Sequence, residues 1–98
     1  ELPFQKATTV DISGGGMRLV SSVPYEAGRG VVCNYSLERA GSTKTYSQIA
    51  HVLSCTRMEK NHTMYEIRIK FAFINNHDRE EIIRYIFEEE RKRRKREL

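Results

Sequence analysis

A carboxylate and a hydroxyl two residues apart, followed by three glycines, form the first segment of this sequence with clear chemical potential. In Val10-Asp11-Ile12-Ser13-Gly14-Gly15-Gly16-Met17-Arg18-Leu19, extended backbone would point Asp11 and Ser13 to the same side. An ionised Asp only accepts hydrogen bonds and Ser adds further acceptor capacity, a pairing suited to the N–H edge of a guanine. Gly16, lacking a side chain, lets a planar base approach the backbone closely. The same residues equally suit an Asx-type turn in which Asp11 and Ser13 satisfy local amides. Spacing alone leaves both readings open.

Other chemistries have less support. His51, His62 and His77 are 11 and 15 residues apart, with no Cys or carboxylate at metal-ligand spacing. His51 interrupts an apolar strand pattern and reads as a structural histidine. Ser13 is not in a G-x-S-x-G elbow. The triple glycine lacks the Lys-Ser/Thr of a phosphate-binding loop and the βαβ context of a dinucleotide fold. No catalytic residue and no metal ligand is assigned, and the chain reads as a binding domain and not an enzyme.

The elements that must position Asp11 and Ser13 are mostly strands. Thr8–Val10 and Met17–Val20 flank the glycine cluster, where the turn would exploit positive φ. Ser21–Gly30 reads as a loop, Val31–Leu37 as a strand, and Ala40-Gly41-Ser42 as a hairpin turn. Thr43–Met58 is a longer strand with Tyr46, Ile49, Val52 and Leu53 as inward positions. The slip in spacing after Ile49 predicts a bulge. Met64–Phe73 alternates most cleanly, with Tyr65, Ile67, Ile69, Phe71 and Phe73 on one face and Glu66, Arg68 and Lys70 on the other. Asp78 is the expected N-cap of a closing helix, with Glu81 completing a capping box. Ile82, Ile83, Ile86 and Phe87 are its apolar stripe, Glu80 and Glu81 its acidic first turn, and the cationic end its dipole-matched C-terminus. Beyond Phe87 the helix should project into solvent.

At 98 residues the chain suits one domain: residues 1–77 as an antiparallel β-barrel, mainly all-β, and 78–98 as a C-terminal helix and basic tail. The net charge of +4 comes from 17 basic and 13 acidic residues. Six of those cations are the run Arg91-Lys92-Arg93-Arg94-Lys95-Arg96, so the body alone has a balance of −2. Cys33 and Cys55 have no C-x-x-C partner and read as buried thiols of a reduced, cytoplasmic protein. No apolar run reaches the ~20 residues of a membrane span.

The motif and the order of elements resemble the PilZ family. Asp11-x-Ser13-x-x-Gly16 matches its D/N-x-S-x-x-G motif, with hydrophobic entry at Val10 and Ile12 and exit at Met17 and Leu19. Ile49–Leu53 is similar to the family's mid-domain strand, Tyr65–Phe71 to its Y-x-I/V-G-V-x-F strand, and Asp78–Phe87 to its closing helix. The match resembles in particular the C-terminal PilZ domains of flagellar-brake-like proteins of bacteria, which implies regulation of motility. The resemblance implies a cytoplasmic receptor for the second messenger cyclic di-GMP. Asp11, Ser13 and Gly16 would contact the ligand, and Gly14, Gly15, Arg18 and Arg68 are further candidates. It also implies output through a protein partner or a fused N-terminal domain.

Two departures stand out. Arg68 occupies a position where family members often carry Gly. No R-x-x-x-R, whose arginines would clasp phosphates bidentately, precedes Asp11. Glu1–Phe4 resembles the family's first strand, which normally follows that segment, so the arginines are expected upstream of Glu1. The alternative is a degenerate PilZ adaptor that binds partners without nucleotide. A third reading, a small β-barrel nucleic-acid binder using the tail, has against it the lack of any aromatic among the cations. The tail itself reads as a solvated helix end or as a docking patch for an acidic partner.

Overall fold

A computed structural model describes residues 5–97. Glu1–Phe4, matched above to a first strand, lies outside the described residues. Strands β1 (Thr8–Ile12), β2 (Gly16–Ser21), β3 (Gly30–Arg39), β4 (Ser42–Arg57) and β5 (Tyr65–Phe73) precede one helix, α1 (Asn76–Glu97). The strands form one antiparallel sheet in the order β1-β2-β5-β4-β3. It curls into a half-barrel whose edges, β1 and β3, are not hydrogen-bonded to each other among the described residues. The expected mainly-β fold with a C-terminal helix is the one observed.

Strict alternation builds the interior. Tyr46, Gln48, Ala50 and Val52 of β4, Ile67, Ile69 and Phe71 of β5, Met17 of β2 and Leu37 of β3 are buried. Ile82 of α1, wholly buried, completes this core. Cys33 and Cys55 are free thiols and only half-buried, and desolvation pushes the Cys33 thiol up from its ordinary value. Gly41 and Ala40 both take positive φ, 80° and 51°. They form the two-residue β3–β4 turn, the geometry that matches strand twist.

Several expected inward positions face outward instead. Ile49, Leu53 and Phe73 are 58%, 57% and 74% exposed. The expected bulge exists in two places: pairing between β4 and β5 shifts between Ile49 and Ala50 and again between Val52 and Ser54. The first shift leaves Ala72 unpaired and sends Phe73 to the outer face, while Leu53 is the extra residue of the second. His51, read as a structural histidine, is exposed on the outer face of β4.

The helix begins earlier than expected. Asn75 is its N-cap, accepting the Asp78 N–H on Oδ1 at 2.8 Å, so Asp78 is the third helical residue and not the cap. Asp78 is then the acid of the first turn, and Glu81 is released for other work. Glu81 accepts from the Tyr46 hydroxyl at 2.9 Å and pairs with Lys44 and with His77. Gln48 donates to Asp78 at 3.1 Å, and Arg39 makes two bonds to Glu88, at 2.9 and 3.2 Å. The β3–β4 hairpin thus grips one side of α1 through acids spaced along three turns. Packing uses Ile82, Tyr85 and Ile86, whereas Phe87, expected in the stripe, is 60% exposed.

Candidate functional site

The Asp11–Gly16 segment forms the turn between β1 and β2. The Ser13 N–H donates to the Gly16 carbonyl at 2.9 Å, and the Gly15 N–H donates to Ser13 Oγ at 3.2 Å. The Ser13 hydroxyl therefore stabilises its own turn. None of the three glycines has positive φ, contrary to expectation; space accounts for two of them. A Cβ on Gly16 would lie 2.1 Å from the carbonyl oxygen of Ile69, and one on Gly14 would lie 3.2 Å from Cγ of Arg79. Gly16 is thus demanded by the close β2–β5 pairing, whereas a side chain at Gly14 would make the Arg79 side chain of the helix over the turn give way by a few tenths of an ångström. At Gly15 the nearest atom to such a Cβ is Ser13 Oγ, 3.9 Å away, and the Gly15 carbonyl accepts from the Phe71 N–H.

Beside the turn, the outer face of the sheet carries alternating charges. Asp11 faces Arg18 across β1–β2, and Arg18 faces Arg68 across β2–β5. Arg18 reaches Asp11 Oδ2 with Nε at 3.0 Å and Nη2 at 2.8 Å. Glu66 lies between the two arginines, 3.9 Å from Arg18 Nη1 and 3.6 Å from Arg68 Nε. Two like charges directly opposite would repel; Asp11 and Glu66 neutralise that cost. Lys70 sits opposite Gly16 and, among the described residues, has no acidic partner.

These groups surround a shallow depression of about 320 Å³ lined by Asp11, Ser13, Gly16, Arg18, Leu53, Arg68 and Lys70, among others. Every candidate named from sequence lines it except Gly14, which faces α1. Sequence reasoning missed Lys70 and Leu53. Lys70 was visible as the outward residue two beyond Arg68, whereas Leu53, expected inward, follows the buried Val52 and so faces this surface. Acceptors at one end, three cations across the middle and one apolar contact suit a flat, anionic, N–H-bearing ligand. A larger concavity of about 850 Å³ is the hollow of the half-barrel, lined largely by the inner face of β2 and β3. Among the described residues, Lys6 and Arg29 are its only ionisable side chains besides the Cys33 thiol and the phenols of Tyr25 and Tyr35, so it offers less for recognising an anion.

Among the described residues no three His, Cys, Asp or Glu side chains gather as a metal site, and no helix is long and apolar enough to cross a membrane. Residues 3–88 match the family model for the PilZ domain. Searches of curated proteins and of solved structures gave no match.

Proposed function

The chain belongs to the PilZ domain family, and from that premise we propose that it is a cytoplasmic cyclic di-GMP receptor that passes the signal to a partner protein or a neighbouring domain. The observation that carries this reading is the convergence of Asp11 and Ser13 with Arg18, Arg68 and Lys70 around one depression. Asp11 Oδ1 has no partner among the described residues, because both Arg18 contacts fall on Oδ2. That oxygen would accept from a guanine N–H while Arg18 keeps the carboxylate oriented. Arg68 and Lys70 would meet the phosphates, Arg68 through its planar fork and Lys70 as a point charge. Leu53 would lie under a base. In this role the chain binds and relays and performs no catalysis.

A second reading, an adaptor that binds protein without nucleotide, is favoured by one feature of the turn. Ser13 and Gly16 both serve the fold itself, through the Gly15 amide and the approach of Ile69. Titration calorimetry of the full-length protein with cyclic di-GMP separates the two readings. Saturable binding that is lost in Asp11→Ala supports the receptor, and absence of heat at any ligand concentration supports the adaptor.

A further inference from the structure

Strand register arranges the outer face of the sheet beside the depression into three successive rows of residues. The first is Ser54–Arg68–Arg18–Asp11. The second is Gly30–His51–Lys70–Gly16. The third is Val32–Ile49–Phe73, an apolar row whose members are 60%, 58% and 74% exposed. The depression takes in Arg18, Arg68 and Lys70 and reaches β4 at Leu53. His51 is the preceding outward residue of β4 and stands directly opposite Lys70.

The middle row forms a lane between the arginines and the apolar row. Glycine at both ends keeps it low, and a Cβ on Gly30 would meet nothing within 4 Å. Only His51 and Lys70 rise from it. Directly opposed residues hold their Cβ atoms ~5 Å apart, so an imidazole and an ammonium on this pair can take one phosphate between them. His51 is exposed and, among the described residues, forms no ion pair. Lys70 and, one row on, Arg68 face it from β5, Gly30 from β3, and Ile49 and Leu53 flank it on β4. Arg29, next to Gly30, turns away to cover the Tyr25 ring and line the inner hollow. The charged groups facing His51 are thus all cations.

We propose that the ligand site continues across β4 to His51, whose imidazolium holds, together with Lys70, a phosphate of the bound nucleotide. This extension rests on the receptor reading above. A phosphate diester between the two side chains supplies the counter-charge that this part of the face lacks, so binding draws a proton from solvent onto the ring. The site then reports pH as well as nucleotide level.

Titration calorimetry of the full-length protein with cyclic di-GMP, at about pH 6, 7 and 8 and in two buffers of unequal ionisation enthalpy, reads affinity and proton uptake together. Neither the phosphate diesters nor the guanines of the ligand change charge in that window. The charged ring is the binding form, so wild-type affinity should fall as pH rises. A fall of about tenfold across the window matches the loss of one charge-assisted hydrogen bond, and proton uptake should accompany binding. His51→Gln should lose both the uptake and the pH dependence, binding throughout about as weakly as wild type does at the alkaline end. His51→Lys, cationic throughout, should keep the acid-end affinity at every pH. His62 and His77 are retained in both variants, and thermal melts should be unchanged because His51 is exposed. A wild type that binds without uptake, or a pH dependence that survives in His51→Gln, overturns the extension and leaves the receptor reading standing. So does an equal loss of affinity at every pH in both variants. A wild type that binds no nucleotide overturns the receptor reading, and the extension with it.

Discussion

Arg18 and Asp11 face each other across the first hairpin, with Nη2 of Arg18 2.8 Å from Oδ2 of Asp11, and this pair separates binding from stability. Both side chains are substantially exposed, and exposed ion pairs stabilise a fold by ~1 kcal/mol or less. Asp11→Ala should therefore leave the thermal midpoint nearly unchanged. Cyclic di-GMP affinity should fall about tenfold or more, the effect of removing an acceptor from a polar contact, ~1–3 kcal/mol. Calorimetry and a melt on the same sample check both. Unchanged affinity would remove Asp11 from the site.

Neighbouring glycines of the motif should respond in opposite ways. Gly16→Ala drives a methyl to within 2.1 Å of the Ile69 carbonyl oxygen, so β2 and β5 must separate. A loss of roughly 1–3 kcal/mol is expected from such overpacking. Gly15→Ala meets only Ser13 Oγ at 3.9 Å and should change stability by about 0.5 kcal/mol or less. Urea unfolding of both variants would show the contrast. Equal effects would mean the β2–β5 approach is looser than 2.1 Å implies.

Much of this fold was legible in the sequence because alternation and turn residues act locally. The clean period of Tyr65–Phe71 and the Ala40-Gly41 turn both correspond to what is observed. The outward placement of Ile49, Leu53 and Phe73 was not legible: Ile49 and Leu53 are apolar residues on the outer side of the alternation that buries Tyr46, Gln48, Ala50 and Val52, and Phe73 is sent outward by the shift in the β4–β5 pairing. The cap was ambiguous for a similar reason. Asn75–Asp78 and Asp78–Glu81 are overlapping boxes of the same spacing, and only the point where β5 stops selects between them. At the site, Asp11 and Ser13 were readable from their spacing. The reason for Gly16 lay in Ile69, over fifty residues away, where no local pattern points.

Core burial by α1 rests on Ile82 rather than on Phe87. Ile82 is fully buried and Phe87 is 60% exposed, so Ile82→Ala should cost about 2–5 kcal/mol. Phe87→Ala should cost under ~1 kcal/mol. Truncation after Glu90 should also cost little, because Arg91–Lys95 are exposed. Chemical denaturation of the three variants distinguishes these ranks. A Phe87 effect as large as that of Ile82 would mean α1 rolls onto its other face in solution.

The grip of the β3–β4 hairpin on α1 should make stability depend on pH at both extremes. Bonds from Lys44 and Tyr46 hold the Glu81 carboxyl below its ordinary range, and Arg39 does the same to Glu88. A carboxylate whose folded value is depressed stabilises the fold above its unfolded value of about 4.3, and that contribution disappears as pH falls through the folded value. At the alkaline end the sign is reversed. Burial, aided by the bond to Glu81, pushes the Tyr46 phenol up to about 12. Its contribution is complete below the unfolded value of about 10 and is lost as pH rises towards the folded one. Glu81→Gln should flatten the acid limb of a stability–pH curve, and Tyr46→Phe should flatten the alkaline limb without touching the acid contribution of Glu88. Urea midpoints measured across the pH range for wild type and both variants provide the comparison. An acid limb of undiminished slope in Glu81→Gln would show that the bonds of Lys44 and Tyr46 to Glu81 do not persist in solution.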